Sequence, residues 1–111
     1  MDFQSRKEAN ATIVTLTGRL DAVTTPEYEK QARALIAGGE QTLVLDFGQL
    51  DYISSAGLRG LLVTAKLLQP GGGRLRFANV GGNVRSVFEM SGFTTMFPID
   101  DSVATALDAL G

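Results

Sequence analysis

The sequence predicts an α/β fold: one mixed, mostly parallel sheet of four to five strands with about four helices, in a single domain over residues 1–111. Three observations carry this reading. Short β-branched or alternating runs take turns along the chain with segments of helical periodicity, the order that crossover connections and a parallel sheet require. The breaks between them fall at Gly18, Gly38-Gly39, Pro70-Gly71-Gly72-Gly73 and Gly92. A length of 111 residues, 44% of them hydrophobic, suits one buried core and leaves no room for two ordinary domains.

Asp2 to Arg6 reads as a first strand. It turns through Glu8-Ala9-Asn10 into Thr12-Ile13-Val14-Thr15-Leu16-Thr17, which is β-branched, half alternating, and ends at Gly18. Thr24-Thr25-Pro26-Glu27 opens a helix. Threonine caps, proline suits the first turn, and Thr24 with Glu27 has the spacing of a capping box. The stripe Tyr28, Ala32, Leu35, Ile36 follows, closed by Gly38-Gly39. Leu43 to Phe47 is a nearly continuous apolar run, as a central strand covered on both faces requires. A second helix runs from about Ser55 to Gln69, with Leu58, Leu61, Leu62, Ala65 and Leu68 on one face. Arg74-Leu75-Arg76-Phe77-Ala78 alternates, so one sheet face is expected to be wet there and the helices to favour the other. Asn83 is placed to cap a third helix with stripe Val84, Val87, Phe88. Met96 to Ile99 fits a short edge strand, where proline is tolerated. A last helix from Asp101-Ser102 turns Val103, Ala106, Leu107 and Leu110 to the core.

Composition narrows the function. The chain has no cysteine and no histidine. That removes disulfides, thiol nucleophiles, the usual metal ligands and the usual general base, so a binding module without metal or cofactor is expected rather than an enzyme. Ten basic and twelve acidic residues give a net charge of −2, with no basic run longer than Arg6-Lys7. A phosphate-neutralising patch for nucleic acid is not expected. The longest uncharged stretches, Ala9 to Gly18 and Met90 to Ile99, have ten residues each, against the roughly 20 that a membrane span needs. Met1 to Lys7 has no apolar signal core. A cytoplasmic protein without membrane insertion is the expectation. Gly71-Gly72-Gly73 and Gly81-Gly82 match neither a phosphate-binding loop nor a dinucleotide fingerprint.

The segment Asp46 to Gly60 joins the central strand to the second helix. It lies at the carboxyl edge of the strands, where α/β sheets bind ligands and partners. Ser54 and Ser55 both stand where an N-cap belongs, and either one as a cap would contribute about 1 kcal/mol. Asp46 is placed to orient a serine hydroxyl, while Tyr52 and Ile53 read as strand-exit packing.

This segment, with Ser54-Ser55-Ala56-Gly57-Leu58, closely resembles the signature of the STAS domain, named for sulfate transporters and anti-sigma factor antagonists. Leu16-Thr17-Gly18-Arg19-Leu20-Asp21 resembles the family's run before the first helix, Leu43 to Phe47 its central strand, and Met90-Ser91-Gly92-Phe93 its close of the third helix. The resemblance covers nearly the whole chain and implies a single STAS-like domain. It further implies an anti-sigma factor antagonist that binds an anti-sigma factor serine kinase of histidine-kinase-like ATPase fold. Phosphorylation by that kinase releases it, and a phosphoserine phosphatase resets it. Aligning Gly57-Leu58 with the family's glycine and leucine puts Ser55 on the phosphorylated serine. Ser54 then replaces an aspartate, and Ala56 a second serine or threonine. Asp21, Ser54, Ser55, Gly57 and Arg59 fall on the implied partner-binding surface. Asp21 reads equally as a turn residue, and Arg59 as a solvated arginine or as a contact for phosphate or an acidic partner. The alternative within the family is a scaffold or regulatory module, transporter-associated, that works without phosphorylation.

Overall fold

In the computed structural model, which describes residues 1–111, five strands form one sheet in sequence order. They are β1 (Asp2–Glu8), β2 (Ala11–Leu20), β3 (Thr42–Ile53), β4 (Arg74–Ala78) and β5 (Ile99–Asp100). β1 and β2 are an antiparallel hairpin; every other neighbour pair is parallel. The helices are α1 (Thr25–Ala37), α2 (Ser55–Leu68), α3 (Gly82–Ser91), α4 (Phe93–Met96) and α5 (Val103–Leu110). Parallel strands laid down in order by crossovers of one hand must carry their connecting helices on one face. The larger core accordingly lies between the sheet and α1, α2 and α3. Phe47, Phe77, Phe88, Phe93 and Phe97 form its aromatic part, with ring centroids 5.1–5.9 Å apart. On the other face α5 alone sets Ala106 and Leu110 over Ala11, Ile13, Val44 and Ala78.

The predicted sheet and its helical layer are present, with several local corrections. β2 and β3 run past Gly18 and Phe47 to Leu20 and Ile53. Their register shifts twice, between Thr15 and Thr17 and between Gly18 and Arg19, and Gly18 takes the left-handed φ of +98° there. The expected strand at Met96 to Ile99 is instead the extra helical turn α4 followed by the two-residue β5. Gly92, at φ +82°, ends α3, and the chain turns at once to bury Phe93. Asn83 does not cap α3. Gly81 is the N-cap and Gly82 adopts φ +54°, leaving Asn83 inside the first turn.

α2 is rotated from its expected stripe. Its buried residues are Gly57, Gly60, Leu61, Thr64 and Leu68, while Leu58, Leu62 and Ala65 are half-buried. The reason is the neighbour helix. A Cβ on Gly60 would lie 2.8 Å from Thr25 Cγ2, so α1 crosses α2 over its smallest residues. The Tyr28 and Thr64 hydroxyls meet at 2.5 Å inside this contact. The face expected to be wet is only partly so. Arg76 grips Asp100 through two bonds of 2.8 and 3.0 Å, and α5 shelters Ala78.

Candidate functional site

β2 and β3 end side by side, with Leu20 opposite Ile53. The Ser54 N–H donates to the Leu20 carbonyl at 3.0 Å, which holds the start of α2 against the end of β2. Ser54 itself is extended (φ −101°, ψ 176°), and its Oγ accepts from Gly57 N at 3.4 Å. Ser54 is therefore the N-cap. Ser55 is the first helical residue, and it is exposed.

Gly57 lies beneath them and is buried. A Cβ there would sit 2.6 Å from the Leu20 carbonyl oxygen and 2.8 Å from Ile53 Cγ1. Gly57, which the resemblance sets on the partner-binding surface, offers a partner no side chain; its packing sets how closely α2 rests on the strand ends.

Asp21 organises the neighbouring loop. Its carboxylate accepts from Val23 N at 3.0 Å and Thr24 N at 3.1 Å. Thr24 does not form the expected capping box. Its hydroxyl accepts from Asp21 N at 2.9 Å and donates to the Arg19 carbonyl at 2.8 Å, and it makes no bond to the first turn of α1. The Thr24 amide, helped by the Val23 amide, the Thr24 hydroxyl and the Arg19 guanidinium, holds the Asp21 carboxyl below the usual aspartate value against partial burial. A group with a lowered folded pKa stabilises its surroundings above the unfolded value and loses that contribution as pH falls through the folded one. The Asp21 carboxyl should thus titrate by NMR with a midpoint below that of an ordinary aspartate. The Val23 and Thr24 amide shifts should follow the same midpoint; amides that stay still would remove the proposed contacts.

Arg19 and Tyr52 were missed as site residues. The Arg19 guanidinium lies 4.2 Å from the Tyr52 ring centroid and 3.6 Å from the Asp21 carboxylate. Tyr52 is 38% exposed, whereas Ile53 packs inward as expected. Alternation does not reveal this: Leu50 and Ile53 are both buried, three residues apart, and the register shift between them turns Tyr52 outward. Asp46 does not orient a serine. Its carboxylate accepts from Gly48 N at 3.0 Å and Asn79 Nδ2 at 2.9 Å, tying β3 to the loop after β4. Arg59 is exposed, one turn beyond Ser55. With Ala22, Thr25, Pro26, Glu29 and Ala56 it lines a groove of about 260 Å³ between α1 and α2.

The fold thus gathers Asp21, Ser54, Ser55 and Arg59 at one sheet edge, around the start of α2, with Arg19 and Tyr52 beside them. No helix is long and apolar enough to cross a membrane.

Residues 2–106 match the family model described as STAS domain. The chain is 41% identical over 97 residues to BtrV of Bordetella bronchiseptica, a protein named as an anti-sigma factor antagonist, covering 87% of this chain and 84% of that one. An anti-sigma factor antagonist from Mycobacterium paratuberculosis has a similar structure, with a TM-score of 0.88 and 25% identity over 97% of this chain and 92% of that one. The phosphorylated form of SpoIIAA, the Bacillus cell fate determinant, matches with a TM-score of 0.78 at 22% identity, over 99% and 100% of the two chains.

Proposed function

The chain belongs to the STAS domain family, and from that premise we propose that it is an anti-sigma factor antagonist switched by phosphorylation of Ser55. In this reading it acts in the cytoplasm as a regulator rather than an enzyme. It docks an anti-sigma factor serine kinase over the edge that carries Asp21, Ser54, Ser55 and Arg59. It leaves when that kinase phosphorylates Ser55, and a phosphoserine phosphatase restores it. The observation that carries the proposal is the position of Ser55, exposed as the first residue of α2. Ser54, by contrast, has its hydroxyl turned to the Gly57 amide. The name borne by a relative 41% identical supports the same role.

The chemistry agrees. A phosphate adds about −1.5 to −2 of charge. On Ser55 it meets the unpaired N–H groups and positive dipole end of α2. Arg59, four residues on, shares that helix face. The fold tolerates the group, while the docking surface changes its charge at the centre.

Incubation with the cognate anti-sigma factor kinase and ATP, followed by phosphopeptide mapping, tests this. Label is expected on Ser55, lost in Ser55→Ala and kept in Ser54→Ala. Ser55→Ala should still bind the kinase and no longer be ejected by it. Label on Ser54 overturns the assignment to Ser55, and label on neither serine overturns the switch itself in favour of a scaffold that is not phosphorylated.

A further inference from the structure

The two edges of the sheet are unlike. β5 closes one with two residues. β1 closes the other with seven, six of them exposed, paired to β2 without a register shift from Asp2↔Thr17 to Glu8↔Ala11. The sequence of β1, Asp2-Phe3-Gln4-Ser5-Arg6-Lys7-Glu8, holds no proline or glycine. Its outer side therefore presents main-chain N–H and C=O groups to which no strand of this chain is paired, a ready template for another strand. We propose that a second copy of the chain takes this edge, β1 against β1 antiparallel, about a two-fold axis through Gln4.

Charge selects that register. If the sheet is to continue with its helices on one face, residues opposite each other must belong to the same face, so the axis passes through a residue rather than between two. An axis through Ser5 sets Asp2 against Glu8 of the partner subunit, twice. An axis through Arg6 sets that arginine against Arg6 of the partner subunit. An axis through Gln4 sets Asp2 against Arg6 of the partner subunit, twice, and Phe3 against Ser5 of the partner subunit. Opposite charges directly across a strand pair stabilise it and like charges destabilise it. Of the registers that pair five or more residues of β1, only the one through Gln4 turns the edge charges into a match.

These charges are free to exchange partners. Asp2 now meets Gln4 Nε2 at 3.2 Å and Arg6 Nε meets Glu8 at 3.4 Å, both contacts exposed and between residues two apart. Such surface contacts are weak. β2 stands between this edge and β3, which leads into Ser54 and Ser55, so pairing leaves both serine edges open.

Sedimentation equilibrium of the full chain over a concentration series tests the proposal, with circular dichroism to check each fold. The wild type should dimerise. Asp2→Arg and Arg6→Asp each place like charges across the axis twice, and each should raise the dissociation constant about tenfold or more. The double variant Asp2→Arg/Arg6→Asp should regain the wild-type constant, and mixing the two single variants should yield a heterodimer. A wild type that stays monomeric throughout overturns the proposal. So does a dimer that the single reversals leave unchanged, or a loss that neither the double variant nor the mixture restores.

Discussion

Gly57→Ala is expected to destabilise the protein by about 1–3 kcal/mol, the usual range for overpacking, and to displace the start of α2. The added methyl would meet the Leu20 carbonyl oxygen at 2.6 Å and Ile53 Cγ1 at 2.8 Å. Neither contact is the far end of a flexible side chain, so relief requires α2 to lift from the strand ends. The Ser54 N–H bond to Leu20 lies in the same junction. Urea melts should show the loss, and amide shifts from Ser54 to Arg59 should move with it. Gly81→Ala is the control. Gly81 has φ −145° and nothing within 4 Å of a Cβ placed there, so the variant should lose at most the roughly 1 kcal/mol by which alanine is the poorer N-cap, with no shift of α2. Equal melts for the two variants would mean that α2 does not rest on the end of β2.

Phe77→Ala should cost about 3–5 kcal/mol. Phe77 is fully buried on β4, with ring centroids 5.4 Å from Phe47, 5.2 Å from Phe88 and 5.4 Å from Phe97. Its removal separates β3, α3 and the chain after α4 at one point. Total stabilities of about 5–15 kcal/mol make that a large fraction of the whole. Thermal and urea melts should agree, and Phe77→Leu should recover part of the loss. A melt unchanged by Phe77→Ala would remove the aromatic cluster from the core.

Where burial writes a period into the chain, the fold was legible. β4 shows alternation, the first half of β3 an unbroken apolar run, and α1 and α2 their stripes and glycine stops. The second half of β3 carries no such period. Gly48-Gln49-Leu50-Asp51-Tyr52 is held mainly by main-chain pairing to a partner strand whose register shifts twice, and bulges have no hydrophobic signature of their own. α4 and β5 are too short for any period to develop.

The site divides the same way. Ser54 and Ser55 both fitted a cap by residue type, and only the backbone separates them: Ser54 is extended and Ser55 helical. Thr24 and Glu27 had the right spacing, yet the Asp21 loop claimed the threonine hydroxyl through contacts that cap spacing does not encode. Asp46 stood near the serines in sequence and faces Asn79 in space. Arg19 and Tyr52 became neighbours through strand pairing.

The chain contains two tyrosines and no tryptophan, and the fold gives those two rings opposite surroundings. Tyr28 is sealed between α1 and α2, its hydroxyl against Thr64, and burial pushes its phenol well above the ordinary value. Tyr52 lies open beside Arg19 at the serine edge. All near-ultraviolet absorption and emission from phenol and indole chromophores therefore comes from two sources with separate meanings. Tyr28 reports whether the interior is intact, because its proton is shielded while the helices stay together. Tyr52 reports what approaches the edge, by quenching or by a change in band position. The native sequence is its own optical probe, with one channel for integrity and one for occupancy, and a Tyr52→Phe chain would isolate the first.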